Sequence, residues 1–231
     1  MIDRDCLRVL VQGRLACFTR PELSSERTTY PCLTPSAAEG VLKSIYWKPE
    51  LMYEIEGITV LNEIKPFNMR RNEISEVTNL RVVESKLRQG RPDEVFLNAK
   101  NCAMQRTTTY LMNVAYVIHA RIYVPDEWVE TRDAAQREVS KHKEILIRRL
   151  TRGAHFRAPC LGLRECAATV RYLEEGTPSP KSFYEGTSCD LGRIQHHINY
   201  RDKPRSDPAL PADSPVFFNA FMVDGFISSR I

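Results

Sequence analysis

No stretch of this 231-residue chain comes near the roughly 18 consecutive apolar residues that a helix needs to cross a membrane, so no membrane partner is expected. The first residues, Met1-Ile2-Asp3-Arg4-Asp5, include acidic side chains and lead into no long apolar run, which does not read as a signal peptide. CxxC pairs are absent too. The seven cysteines, Cys6, Cys17, Cys32, Cys102, Cys160, Cys166 and Cys189, are scattered. They form no zinc or redox motif and fit reduced thiols in a cytoplasmic protein. Neither a metal nor another cofactor is expected. A large excess of one charge is also missing, since a net charge of +4 does not by itself mark a nucleic-acid binder. With 42% hydrophobic residues the chain can bury a sizeable core, which argues against global disorder.

The charge that is present is gathered. Met69 to Arg91 holds Arg70, Arg71, Arg81, Lys86, Arg88 and Arg91, and Arg137 to Arg157 holds Lys141, Lys143, Arg148, Arg149, Arg152 and Arg157. A guanidinium fork matches phosphate oxygens, so such clusters suit a nucleic-acid backbone. They equally suit an ordinary solvated face.

Cys6 to Gln12 is a short apolar run closed by Gly13, the pattern of a buried strand. Thr34-Pro35 reads as a helix start, because threonine caps a free N–H and proline loses nothing at the first helical position. Ala38, Val41, Leu42 and Ile45 form its apolar face, and Pro49 forces a stop near Trp47. Leu51 to Ile64 alternates and reads as a strand or bent hairpin. Val114 to Val124 is a strong strand, and Ala134 to Arg152 a second helix with Val139, His142, Leu146 and Leu150 along one stripe and Gly153 as its cap. Leu161 to Leu173 reads as one long strand or a strand pair. The order predicts an α+β, ferredoxin-like (RRM-like) βαββαβ domain over residues 1–172. A basic, exposed insertion with some local helix or hairpin interrupts it at about 66–104. Residues 173–231, with Pro178, Pro180, Pro204, Pro208, Pro211 and Pro215, form a proline-rich β extension ending in a strand at Val216 to Ile227.

Several stretches together resemble a known family. They are Phe18-Thr19-Arg20-Pro21-Glu22, then Thr34-Pro35-Ser36-Ala37-Ala38-Glu39-Gly40-Val41-Leu42 leading into Ile45-Tyr46-Trp47-Lys48-Pro49, and Lys141-His142 through Gly153. Arg70-Arg71-Asn72-Glu73 and Leu161-Gly162-Leu163-Arg164-Glu165-Cys166 add to them. The chain resembles the CRISPR-associated Cas-five proteins of subtype I-C (the Dvulg type), repeat-associated RNA-binding proteins. The resemblance implies a pre-crRNA endoribonuclease that cuts CRISPR RNA within its repeat without metal, and then keeps the 5′ handle inside a surveillance complex. The implied partners are CRISPR RNA, both repeat hairpin and 5′ handle, and the other type I-C complex subunits, with target DNA a further candidate. The family's catalytic tyrosine, lysine and histidine fall on Tyr46, Lys141 and His142. Arg20, Trp47, Lys48, Arg70, Arg71, Arg148 and Arg149 are the expected RNA contacts. The alternative is a subunit that holds the handle without cutting.

Cleavage of this kind uses the RNA's own 2′-hydroxyl and needs a base, an acid and positive charge on the phosphorane. Histidine moves protons near neutral pH, lysine is a compact cation, and tyrosine is a weak base unless a cation helps it. On pattern alone each has a plainer reading: Tyr46 as helix packing, His142 as a core histidine, Lys141 as a surface cation. In the predicted fold the two helices also run side by side, which puts the end of the first and the start of the second at opposite ends. His119 reads as structural or surface, and His155 as a phosphate contact after a helix end. The His196-His197 side chains should point opposite ways in a strand and so not share an ion. Tyr110 joins Trp47 as a candidate stacking surface.

Overall fold

β1 (Leu7–Ala16) is the predicted apolar strand, and its alternate residues Leu7, Val9 and Val11 enter the main core. α1 (Pro35–Ile45) begins where the caps put it: the Thr34 hydroxyl accepts the Ala37 N–H at 3.2 Å and Pro35 opens the first turn. It buries Ala38, Val41, Leu42 and Ile45 and stops at Tyr46, whose backbone is extended at φ −148°, ψ 125°. Then come β2 (Met52–Val60), β3 (Pro66–Ile74), α2 (Leu80–Arg88), β4 (Ala103–Tyr123), α3 (Arg132–Arg152) and β5 (Thr169–Leu173). β6 (Ser188–Asn199), β7 (Ser214–Val223) and β8 (Phe226–Ser228) complete the chain. The computed structural model describes residues 6–23, 26–96, 98, 100–129, 131–200 and 209–230. The acidic N-terminal pentapeptide and Pro204 and Pro208 lie outside them.

The strands join in the order β5-β1-β4-β2-β8-β7-β6, with β3 added to β4. β1 and β2 both run antiparallel to β4, which lies between them, so β1-α1-β2 is a split β-α-β unit. β4 and β5 are likewise antiparallel to the intervening β1, so β4-α3-β5 is a second one. Both helices cover one sheet face and share its core, where Leu42 and Ile45 of α1 and Leu146 and Leu150 of α3 meet Val9, Val11 and Ile118. On the other face a small cluster of Leu10, Leu61, Ala115, Val117 and Leu173 is tied to residues 174–187. Arg8 donates to the Glu174 and Thr177 carbonyls at 2.8 Å, and Ser182 to the Val60 carbonyl at 2.6 Å.

Two boundaries differ from those expected. β4 begins at Ala103, not Val114, and its first half pairs with β3 from Pro66↔Leu111 to Ile74↔Ala103. β3 buries no residue, so its sequence carries no inside-outside alternation, and over Ala103 to Leu111 β4 buries only Thr108, Tyr110 and Leu111. Within the insertion, α2 buries no residue. Leu161 to Ala168 is not strand but a tight turn region, bridged at Cys160↔Ala167, and only Thr169–Leu173 joins the sheet. The proline-rich extension is a β6–β7 hairpin carried on the same sheet through β8 and β2. A bulge in β2 helps to fasten it, since the buried Glu56 carboxylate takes Arg121 at 2.6 Å and Arg230 at 3.0 Å.

His119 is structural. It is buried in β4, bonded to Thr59 Oγ1 at 2.9 Å, with Phe226 against its ring. Burial lowers its pKa from 6.5 to about 4. A histidine held neutral by the fold binds fewer protons folded than unfolded, so its contribution is present above pH 6.5 and is lost as pH falls toward 4. Stability should drop by about 2 kcal/mol between pH 7 and pH 5 from this group alone. Urea melts at both pH values check it: His119→Gln should remove most of that drop, and an unchanged pH slope would exclude His119 as its source.

Candidate active site

The chain enters the site at the end of α1. Pro49 prevents another turn, and the extended backbone at Tyr46 swings the phenol across toward α3. Tyr53 of β2 fixes that swing by donating to the Tyr46 carbonyl at 2.6 Å. Arg149 fixes it from α3, donating to the Ile45 carbonyl at 2.9 Å while its guanidinium lies 5.0 Å from the Tyr46 ring centre. The Tyr46 hydroxyl then meets His142 Nδ1 at 2.9 Å, across 96 residues of sequence. The two ends need not meet for this contact: His142 lies in the middle of α3 (Arg132–Arg152), and the extended backbone at Tyr46 carries the phenol back to it.

The pair is dry. Tyr46 is 4% exposed and His142 2%. Burial raises the phenol's pKa, reinforced by Glu50 and opposed by Arg149 and Lys141. Burial lowers the imidazole's pKa, against the pull of Glu50 and Glu138. Both are therefore neutral near pH 7, and the tautomer with its proton on Nε2, facing the two carboxylates, lets Tyr46 Oη–H donate to Nδ1. Nε2 is buried with no hydrogen-bond partner and stands 3.7 Å from the carboxylates of both Glu50 and Glu138. An imidazolium formed here would find two counter-charges waiting. Lys141 sits at the rim, exposed, with its ammonium 2.9 Å from Glu138, which raises its pKa.

The other expected contacts divide. Trp47 is 51% exposed beside the pair, and Lys48 and Arg148 are exposed as well. Arg149 works inward, on the Tyr46 turn. Arg20 stacks on Tyr30 at 4.5 Å and pairs with Glu22. Arg70 is exposed on β3, whereas Arg71 is held by Glu165 and by the Tyr110 hydroxyl at 2.6 Å. Tyr110 is therefore core and not a stacking surface, since its ring packs inward and only the hydroxyl meets polar groups. His155 is exposed after α3. His196 and His197 do not diverge: a bulge between Gln195 and His197 brings their Nδ1 atoms to 2.8 Å. Among the described residues no three side chains gather to hold a metal. Sequence reasoning missed Glu50 and Glu138. Helical spacing from His142 and Lys141 points to Glu138, but nothing local marks Glu50.

A neutral tyrosine–histidine pair, backed by two carboxylates and edged by a lysine, gives this α+β protein a buried site able to pass a proton. The chain belongs to the CRISPR-associated protein (Cas_Cas5) family, whose Cas5d model matches residues 6–229. It is 31% identical over 223 residues to a CRISPR pre-crRNA endoribonuclease Cas5d of Mannheimia succiniciproducens, covering 96% of this chain and 93% of that protein. It is 34% identical over 232 residues to one of Thermus thermophilus, covering 96% and 90%. Two solved structures share the fold. One described as a CRISPR-associated protein has a TM-score of 0.65 at 22% identity, covering 98% of this chain and 92% of that one. The functionally uncharacterized protein SMU1763c from Streptococcus mutans has 0.63 at 23%, with the same coverage.

Proposed function

We propose that this protein is a cytoplasmic endoribonuclease that cuts precursor CRISPR RNA within the repeat and keeps the 5′ handle as a subunit of a type I-C surveillance complex. The observation that carries the reading is the 2.9 Å bond between Tyr46 and His142, formed by two residues of the family's motif and set beside the third, Lys141. The relatives' activity supports the same reaction. The two split β-α-β units support a ferredoxin-like arrangement for the RNA-binding part, residues 1–172, with 173–231 as its β extension.

In this reading the 2′-oxygen bonds to phosphorus while the bond to the 5′ oxygen breaks, leaving a 2′,3′-cyclic phosphate. Tyr46 accepts the 2′-hydroxyl proton as its own passes to Nδ1, and Glu50 and Glu138 stabilise the imidazolium. Lys141 exchanges Glu138 for the non-bridging oxygens. The departing 5′ oxygen takes its proton from water at the exposed Lys141 rim. Admission of the phosphate requires the Glu50 and Glu138 side chains, both partly exposed, to turn outward from the Tyr46 hydroxyl while their carboxylates stay toward Nε2. Lys48, Trp47 and Arg148 would flank the RNA, and Arg70 is the candidate contact to target DNA.

Incubation of repeat RNA with the protein in excess EDTA tests the activity. Cut RNA ending in a cyclic phosphate is expected. Intact RNA would remove the endonuclease reading and leave a handle-binding subunit, and cutting of an RNA carrying a 2′-deoxy nucleotide at the scissile site would remove the mechanism.

A further inference from the structure

Just beyond α3 the chain exposes a surface that the pair does not use. Gly153 turns the backbone with φ +66°, and the next residues fold back onto the end of α1. The N–H groups of Phe156 and Arg157 both donate to the Ser44 carbonyl at 2.9 Å. Ser44 lies two residues before Tyr46, so this segment is fastened to the same helix end that aims the phenol. Phe156 is nevertheless 64% exposed. A phenylalanine held on a fixed backbone with its ring in water loses hydrophobic stabilisation that the fold does not recover. The Arg157 guanidinium lies over one face of the ring, 5.4 Å from its centre, so a flat partner would take the other face beside a fixed cation.

The surroundings identify what this surface fits. Between Glu144 and Glu165 the sequence has Arg148, Arg149, Arg152, Arg157 and Arg164 and no acidic residue. Arg148, Arg152 and Arg157 are exposed and make no ion pair among the described residues. An exposed aromatic ring stacked with arginine, inside an acid-free basic segment, matches an unpaired nucleobase on a phosphate backbone: the ring takes the base face and the free guanidinium groups take the phosphates. A duplex offers no free base face.

We infer that Phe156 and Arg157 form a stacking subsite for one unpaired RNA nucleotide next to the cleavage site. The inference rests on the RNA-cleaving reading and adds to it a subsite on the loop after α3. Because the subsite is bolted to Ser44, a base stacked there would set how the RNA strand approaches Tyr46. Phe156 acts in binding and is not a catalytic residue.

The test uses the full chain and a repeat RNA blocked by a 2′-deoxy nucleotide at the cleavage position, with 2-aminopurine placed in turn at each unpaired nucleotide flanking the hairpin. One position should be quenched on binding wild type and Phe156→Tyr, and not on binding Phe156→Ala. Phe156→Ala should weaken RNA binding about 5- to 50-fold, with an unchanged melting temperature because the ring is exposed. Arg157→Gln should weaken binding and lower the slope of log affinity against log salt by about 1. Equal affinity for wild type and Phe156→Ala, or quenching that survives the alanine variant at every position, overturns the subsite. The outcomes separate cleanly from the activity: RNA cut in EDTA with no stacked position sinks this inference alone, and intact RNA with a stacked position sinks the cleavage reading alone.

Discussion

Replacing His142 by alanine is expected to abolish cutting of repeat RNA, with a loss of about 10³-fold or more in the rate at saturating RNA. The size follows from what the residue does. Without Nδ1 the Tyr46 phenol has no acceptor, and burial already holds that phenol above its ordinary pKa. The 2′-hydroxyl would then face a proton donor with nowhere to send its proton. RNA affinity should change little, because the ring is 2% exposed and the exposed cations lie elsewhere. Truncation of a buried ring also leaves a cavity, so alanine alone would confuse chemistry with folding. His142→Asn separates them. Its amide oxygen can still accept from Tyr46 but cannot take the proton. Both variants should bind blocked RNA within a few-fold of wild type, and both should fail to cut it. An asparagine variant that cuts at a near wild-type rate would make the histidine a packing residue. Equal loss of binding and cutting would make it a structural one.

The site was partly legible before the fold. The cap at Thr34, the apolar face of α1 and the stop imposed by Pro49 are local effects, and local effects are readable from neighbouring residues. They placed Tyr46 at a helix end correctly. Which way Tyr46 would turn was not readable, because Tyr53 and Arg149 decide it from β2 and α3. α3 starts at Arg132, two residues before the expected Ala134, and the helix pattern alone does not show that its middle, rather than either end, meets the turn after α1. Glu50 became visible only when α3 packed beside the turn it follows. The β3–β4 ribbon stayed hidden for a different reason. β3 and the first residues of β4, Ala103 to Thr107, bury no residue, so no burial pattern marks where their pairing begins. The partners of Tyr110 and Arg71 were equally unreadable: neither residue type predicts that a turn 55 residues beyond Tyr110 will present Glu165 to both.

That turn carries the second large effect. Gly162→Ala should destabilise the protein by about 4 kcal/mol or more, a large fraction of the stability of an ordinary domain. Two causes combine. Gly162 has φ +85°, where an added Cβ is strained by roughly 1–3 kcal/mol. The Cβ would also fall 1.9 Å from the Cys17 carbonyl oxygen and 2.7 Å from its carbon, which are backbone atoms with no rotamer to yield. Nor can the turn back away cheaply. Leu161 is fully buried, its carbonyl accepts the Cys17 N–H at 3.0 Å, and its own N–H is bonded to the Cys166 carbonyl at 2.8 Å. Gly153→Ala is the control, since that residue is also left-handed at φ +66° but has nothing within 4 Å of its added Cβ. It should lose only about 1 kcal/mol. Chemical denaturation of the two variants side by side measures the difference, which is the steric part alone. Equal midpoints would mean that the Leu161–Cys166 turn is free to lift from β1. The packing that holds Glu165 against Arg71 and Tyr110 would then be far softer than these hydrogen bonds require.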